Sequence, residues 1–122
     1  MNGYIVFAHG SSIESANEAV RETARRAARA GRWKKFAAAF LGGGEPDLLQ
    51  AIARLAGEGV TRIVVIPYFL TPGLHLERDL PALIEQAETR GNVEIEVTPP
   101  LDGHPALVEA LVDRSKNLCR AR

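Results

Sequence analysis

Arg62-Ile63-Val64-Val65-Ile66-Pro67-Tyr68-Phe69-Leu70 is the stretch on which the fold turns. It holds β-branched residues in a continuously apolar run, without the alternation of a strand that has one wet face, and so reads as a central strand covered by helices on both sides. Pro67 cannot donate to a ladder and marks where pairing is expected to end. Upstream, Tyr4-Ile5-Val6-Phe7-Ala8 has the same character and runs into His9-Gly10-Ser11-Ser12, a second buried strand followed by a turn. Downstream, Val93-Glu94-Ile95-Glu96-Val97 alternates apolar with charged residues, so it belongs at or near an edge of the sheet.

Helical patterns fill the gaps. Ser11 stands three residues before Glu14, as in a capping box, and Ala16, Val20, Ala24, Ala27 and Ala28 then recur at helical spacing up to Gly31, with Arg21, Arg25, Arg26 and Arg29 on the solvated side. Phe36-Ala37-Ala38-Ala39-Phe40-Leu41 has too little room before Gly42-Gly43-Gly44 for a helix and reads as a strand. Pro46 suits the first turn of a helix carrying Leu48, Leu49, Ile52 and Leu55, which ends at Gly57 and Gly59. Asp79 and Pro81 open a third helix with Leu80, Leu83, Ile84 and Ala87, stopping near Gly91, and its start relative to His75 is left open. A last helix runs from Pro105 through Leu107, Val108, Leu111 and Val112, and Cys119 falls in its continuation.

The order β-α-β-α-β-α-β-α predicts an α/β fold: a single domain over residues 1–122 with a four-stranded parallel sheet flanked by helices. With right-handed crossovers, keeping the first and third strands inside and the fourth outside gives the order 2-1-3-4. Ligands bind such sheets beyond the carboxyl ends of the strands, where the direction of travel reverses between strands one and three. His9, the segment holding His75, and the Gly42-Gly43-Gly44-Glu45 turn all follow strands and converge on that rim.

Composition narrows the partners. Fifteen Lys and Arg balance fifteen Asp and Glu, which offers no long-range attraction to nucleic acid or to an anionic membrane. One cysteine excludes an internal disulfide and a Cys-based zinc cluster, and fits a reducing compartment. No apolar run approaches the ~18 residues of a membrane span. The expectation is a cytoplasmic protein with neither a nucleic acid nor a membrane partner.

Two neutral imidazoles on one crevice suit a divalent transition metal, and either accepts a proton near neutral pH. For one loop histidine taken alone, simple exposure is the commoner explanation; the shared rim makes His9 and His75 the candidates. His104, beside Pro105, is better explained by helix capping. Glu45 is either a carboxylate ligand or an acidic group at the positive end of a helix dipole. Gly10-Ser11-Ser12 is either an anion site for substrate carboxylates or a cap, and Arg78 is either a further carboxylate ligand or a solvated arginine. No Gly-Lys-Ser/Thr follows the glycine run, so a nucleotide loop is unsupported. The Gly-x-Ser-x-Gly elbow of serine hydrolases is absent, and Ala8 stands where a histidine phosphatase carries arginine.

Ala8-His9-Gly10-Ser11, Glu45-Pro46, and the run Arg62–Leu70 leading through Gly73 to His75 and Asp79-Leu80-Pro81 together resemble the small sirohydrochlorin chelatases, the CbiX-like proteins, over the whole chain. The resemblance implies a class II chelatase fold and a lyase that inserts Co²⁺ or Fe²⁺ into sirohydrochlorin on the routes to cobalamin or siroheme. The metal is then a substrate, and no organic cofactor is expected. The resemblance also matches His9 and His75 to the family's two metal-site histidines and implies a homodimer. One departure stands out: the glutamate that the resemblance leads one to expect directly after the Phe-Leu of strand two, two residues on from Phe40, is Gly42 here. A two-histidine site with oxygen ligands accepts Co²⁺, Fe²⁺ and Ni²⁺ alike. The alternatives are a non-catalytic tetrapyrrole- or metal-binding protein with a degenerate site and, further off, an unrelated metal-dependent hydrolase.

Overall fold

The nine-residue run around Val65 becomes a strand that stops at its proline. In the computed structural model, which describes residues 1–71 and 73–118 and gives Leu74 and His75 as backbone, β3 spans Arg62–Pro67. It lies between β1 (Asn2–Ala8) and β4 (Glu94–Val97), and β1 in turn pairs with β2 (Phe36–Phe40). Every pairing is parallel and the order is β2-β1-β3-β4, as predicted. Helices α1 (Glu14–Gly31), α2 (Leu48–Gly57), α3 (Leu74–Gly91) and α4 (Pro105–Lys116) follow the strands in turn.

The core is lopsided. Because side chains alternate across a strand, Ile5, Phe7, Ala37, Ala39, Ile63, Val65 and Ile95 share one face. They form a single buried cluster with Leu48, Ala51, Ile52 and Leu55 of α2 and Leu76 and Ala87 of α3. On the opposite face Val6, Ala8 and Phe40 are buried, with Ala24 and Ala28 of α1. Tyr4, Val64 and Ile66 on that face are only half-buried. Helix α4 buries none of its residues. Near the amino ends of β1 and β2, Tyr4 stacks on Trp33 with ring centroids 4.6 Å apart and planes 14° apart.

Several boundaries differ from the sequence reading. Helix α3 starts at Leu74 with Gly73 as its N-cap, so Asp79 and Pro81 lie inside it and His75 falls in its first turn. Pro81 lacks the N–H that would reach back to Glu77, a local loss that the buried contacts of Leu76 and Ala87 outweigh. Pro46 precedes α2, and its peptide bond to Glu45 is cis. The capping box there is Asp47 with Gln50, each side chain bonding the other's backbone N–H. Ser11 does not cap α1, whose N-cap is Ile13 without a side-chain bond. Ala16 is exposed, and the buried stripe of α1 begins at Asn17. Strand β2 ends at Phe40 and β4 begins at Glu94, each one residue shorter than read. Cys119 lies outside the described residues.

Candidate functional site

His9 follows β1 immediately, and the ladder runs on past the strand ends: the Leu41 N–H donates to Ala8 O at 2.9 Å and the Gly42 N–H to His9 O at 3.0 Å. The main chain of His9 is thereby tied to the chain beside it, while its imidazole is exposed. Phe69, from the segment after β3, backs that imidazole with ring centroids 4.6 Å apart. Phe69 is itself held edge-on against buried Phe7 at 6.2 Å. His75 lies in the first turn of α3, the helix that follows β3.

The loops at this end of the sheet expose large apolar side chains. Ile13, Leu41, Tyr68 and Leu70 are 63%, 47%, 37% and 59% exposed, one or two from the loop after each of the three neighbouring strands. Beside Phe69 lies an apolar groove of about 390 Å³, lined by Pro67, Leu76, Leu80, Pro81, Val97 and Pro100 among others. A groove lined almost wholly by apolar side chains can take an apolar ligand or partner surface.

The loops after β1 and β2 interlock. Gly10 has φ +89°, and a Cβ there would lie 1.7 Å from the carbonyl oxygen of Gly42. Gly43 has φ +73°, and its Cβ would come within 2.9 Å of Ser11. Only glycine permits both the left-handed backbone and the contact. Gly42 itself is different: a Cβ built there meets nothing within 4 Å.

The other predicted residues fall in separate places. Glu45 is exposed and shares a shallow concavity with Glu14, Arg21, Gly43 and Gly44. The Ser11 N–H is engaged by Asn17 Oδ1 at 2.9 Å and its hydroxyl accepts from the Ile13 N–H at 3.0 Å, while Ser12 is exposed. Arg78 extends from α3 with its side chain 69% exposed, 3.9 Å from the Asp79 carboxylate. The His104 Nδ1 accepts from the Ala106 N–H at 3.0 Å, so this histidine caps α4. Among the described residues no group of three or more His, Cys, Asp or Glu side chains gathers where a metal ion would be held.

Three residues escaped the sequence reading. Asn17 is buried between the two loops, Phe69 backs His9, and Arg21 is not simply solvated: it donates to Glu45 O at 3.1 Å and lies 5.3 Å over the ring of Phe40. Arg21 also bonds Glu14 at 2.6 Å, which with a weaker bond from Asn17 holds the Glu14 carboxyl below its ordinary range. Asn17 did leave a signal, since it stands seven residues before Ala24, two turns back on the buried stripe.

Comparison with known proteins agrees with this architecture. The CbiX family model matches residues 3–118. A crystal structure from Marinobacter aquaeolei VT8, provisionally described as a cobalamin (vitamin B12) biosynthesis CbiX protein, superposes with a TM-score of 0.83 at 32% identity, covering 96% of each chain. The sirohydrochlorin cobaltochelatase of Methanococcoides burtonii is 32% identical over 93% of each chain. The chloroplastic sirohydrochlorin ferrochelatase of Arabidopsis thaliana is 28% identical over 93% of this chain and 51% of its own, so the present chain spans about half the length of that relative. The chain belongs to the CbiX family.

Proposed function

We propose that this member of the CbiX family is a lyase that inserts a divalent metal, cobalt or iron, into sirohydrochlorin, on the routes to cobalamin or siroheme. The observation that carries the reading is the setting of His9. It is an exposed imidazole on a tethered main chain, backed by Phe69, and the loops after the three neighbouring strands expose Ile13, Leu41, Tyr68 and Leu70, apolar side chains suited to the flat face of a macrocycle. The cobaltochelatase and ferrochelatase relatives supply the two metals; the same donor types accept nickel.

In this reading His9 and His75 hold the incoming ion against the ring while it sheds water. Insertion forms bonds from the metal to the ring nitrogens and releases two N–H protons, one of which an imidazole accepts. Peripheral carboxylates of the substrate meet Gly10, Ser12 and Arg78; Ser11, whose N–H serves Asn17, contributes through its position in that loop. Glu45, whose main-chain carbonyl accepts from Arg21, is the carboxylate that would join the two histidines at the metal. No organic cofactor has a role. A cytoplasmic setting without nucleic acid or membrane partners belongs to the same reading and rests on the balanced charge and the single cysteine.

The chain is proposed to act as a homodimer. Val108, Leu111 and Val112 of α4 are 63%, 71% and 49% exposed on a helix that buries nothing, and the plant relative is about twice this length. A flat macrocycle is better enclosed by two such walls than by one.

The test is spectroscopic. Purified protein mixed with sirohydrochlorin and Co²⁺, then Fe²⁺ and Ni²⁺, should speed metal insertion over the protein-free rate, and His9→Ala and His75→Ala should each lose most of that acceleration. Parent-like rates in both variants would falsify the assignment. Gly42 favours a second reading, a carrier that binds tetrapyrrole or metal without turnover; a spectral shift on binding with no acceleration would select it. Because position 42 has open space, Gly42→Glu should fold normally, and a faster rate in that variant would identify the missing carboxylate as rate-limiting.

A further inference from the structure

Among the described residues, Asn17 is the one buried polar side chain, 1% exposed on a helix stripe otherwise filled by alanine. Its amide is fully used. Oδ1 accepts from the Ser11 N–H at 2.9 Å, and Nδ2 donates to Ser11 O at 2.8 Å and to Gly43 O at 3.0 Å, with Glu14 Oε1 further off at 3.4 Å. A buried amide that served only to pack α1 would be replaced at no loss by an apolar residue, because unmade hydrogen bonds are what make polar burial costly. These bonds instead join two loops, one beginning at His9 and the other holding Gly42, whose bonded residues Ser11 and Gly43 stand 32 apart in sequence. Gly44 leaves the space for this, since a Cβ there would stand 2.9 Å from Nδ2.

We infer that Asn17 is a positioning residue for the metal site: it clasps the loop after β1 to the loop after β2 and so sets where His9 stands relative to position 42. For its catalytic readout the inference rests on the chelatase reading above; its metal-binding readout does not.

The experiment compares full-length parent, Asn17→Asp, Asn17→Ala and Ile95→Val, the last a core change on β4 away from both loops. Asn17→Asp keeps the size and the acceptor for the Ser11 N–H but loses both donors. Thermal unfolding sets a temperature at which all are folded; Co²⁺ affinity is then titrated by visible absorption, and kcat and KM are measured for Co²⁺ insertion into sirohydrochlorin. Loss of an outer residue that orients a ligand costs about 10–100-fold in metal affinity or activity. Asn17→Asp should therefore weaken Co²⁺ binding about tenfold and lower kcat by more than it raises the tetrapyrrole KM, while Ile95→Val leaves all three as in the parent. Parent-like Co²⁺ affinity and kcat in folded Asn17→Asp overturn the inference. Should neither Asn17 variant fold, Gly44→Ala, which crowds the Asn17 amide without removing it, must still weaken Co²⁺ binding, and an unchanged affinity there overturns it equally. A parent that binds Co²⁺ but does not accelerate insertion defeats the chelatase reading alone, and the affinity comparison still decides the role of Asn17.

Discussion

On the face of the sheet covered by α2 and α3, Ile5, Phe7, Ile63, Val65 and Ile95 are at most 8% exposed. On the opposite face α1 buries Val6, Ala8 and Phe40, but Tyr4, Val64 and Ile66 stay half-buried, and α4 buries none of its own residues. Parallel sheets are stable when both faces are covered. The difference teaches that this chain completes one side of its sheet alone and leaves part of the other side short of cover. An α4 with an apolar stripe and no burial in its own chain fits the proposed dimer.

The contrast can be broken or sharpened by substitution. Phe7→Ala on the closed face should cost about 3–5 kcal/mol in urea unfolding, as large core truncations do. Ile66→Ala on the open face should cost less, ~1–2 kcal/mol, because part of that side chain is already in contact with water; equal losses would mean that the two faces are equally closed. Gly10→Ala comes next. It adds ~1–3 kcal/mol of backbone strain at φ +89° together with the clash against Gly42, and should lower the melting temperature and weaken Co²⁺ binding at once. Leu111→Arg on α4 should leave far-UV circular dichroism intact while shifting the protein toward monomer by analytical ultracentrifugation; a parent that is already monomeric at the same concentration would remove the dimer proposal.

The smallest effect belongs to the exposed charges of α1. The Arg21 guanidinium holds the Glu14 carboxyl below its ordinary value, so this pair adds stability above the unfolded carboxylate range near 4.5, and the contribution fades as pH falls through the lower folded value. Both groups face water, which screens them. Glu14→Gln should thus shift the melting temperature at pH 7 by no more than about 2 °C, and the difference from the parent should shrink toward pH 3 in a thermal scan.

How much of this was legible in the sequence follows from the kind of signal each feature leaves. The strand runs Tyr4–Ala8 and Arg62–Pro67 and the alternation around Ile95 are local patterns, and with right-handed crossovers they lead to the observed sheet order. Helix ends were harder. Pro81 looks like a start because proline is tolerated in a first turn, yet α3 had already begun seven residues earlier, held by Leu76 in the core. The rim position of His9 was readable from the strand that precedes it. Its backing by Phe69 and the clasp at Asn17 were not, because both depend on pairings between segments far apart in the chain. Gly42-Gly43-Gly44 announced a turn, but nothing local told which neighbouring loop the glycines were making room for.

The Tyr4–Trp33 stack gives the molecule separate gauges for two events. Trp33 is the only tryptophan in the chain, and it packs against β1 five residues before His9, about 17 Å away at ~3.3 Å per strand residue. Its emission therefore follows the docking of the α1 end against the sheet, while a Co²⁺ ion at the rim reports through its own absorption band. Loss of metal with unchanged tryptophan emission would mean damage confined to the rim, and simultaneous change in both would mean the domain itself has opened.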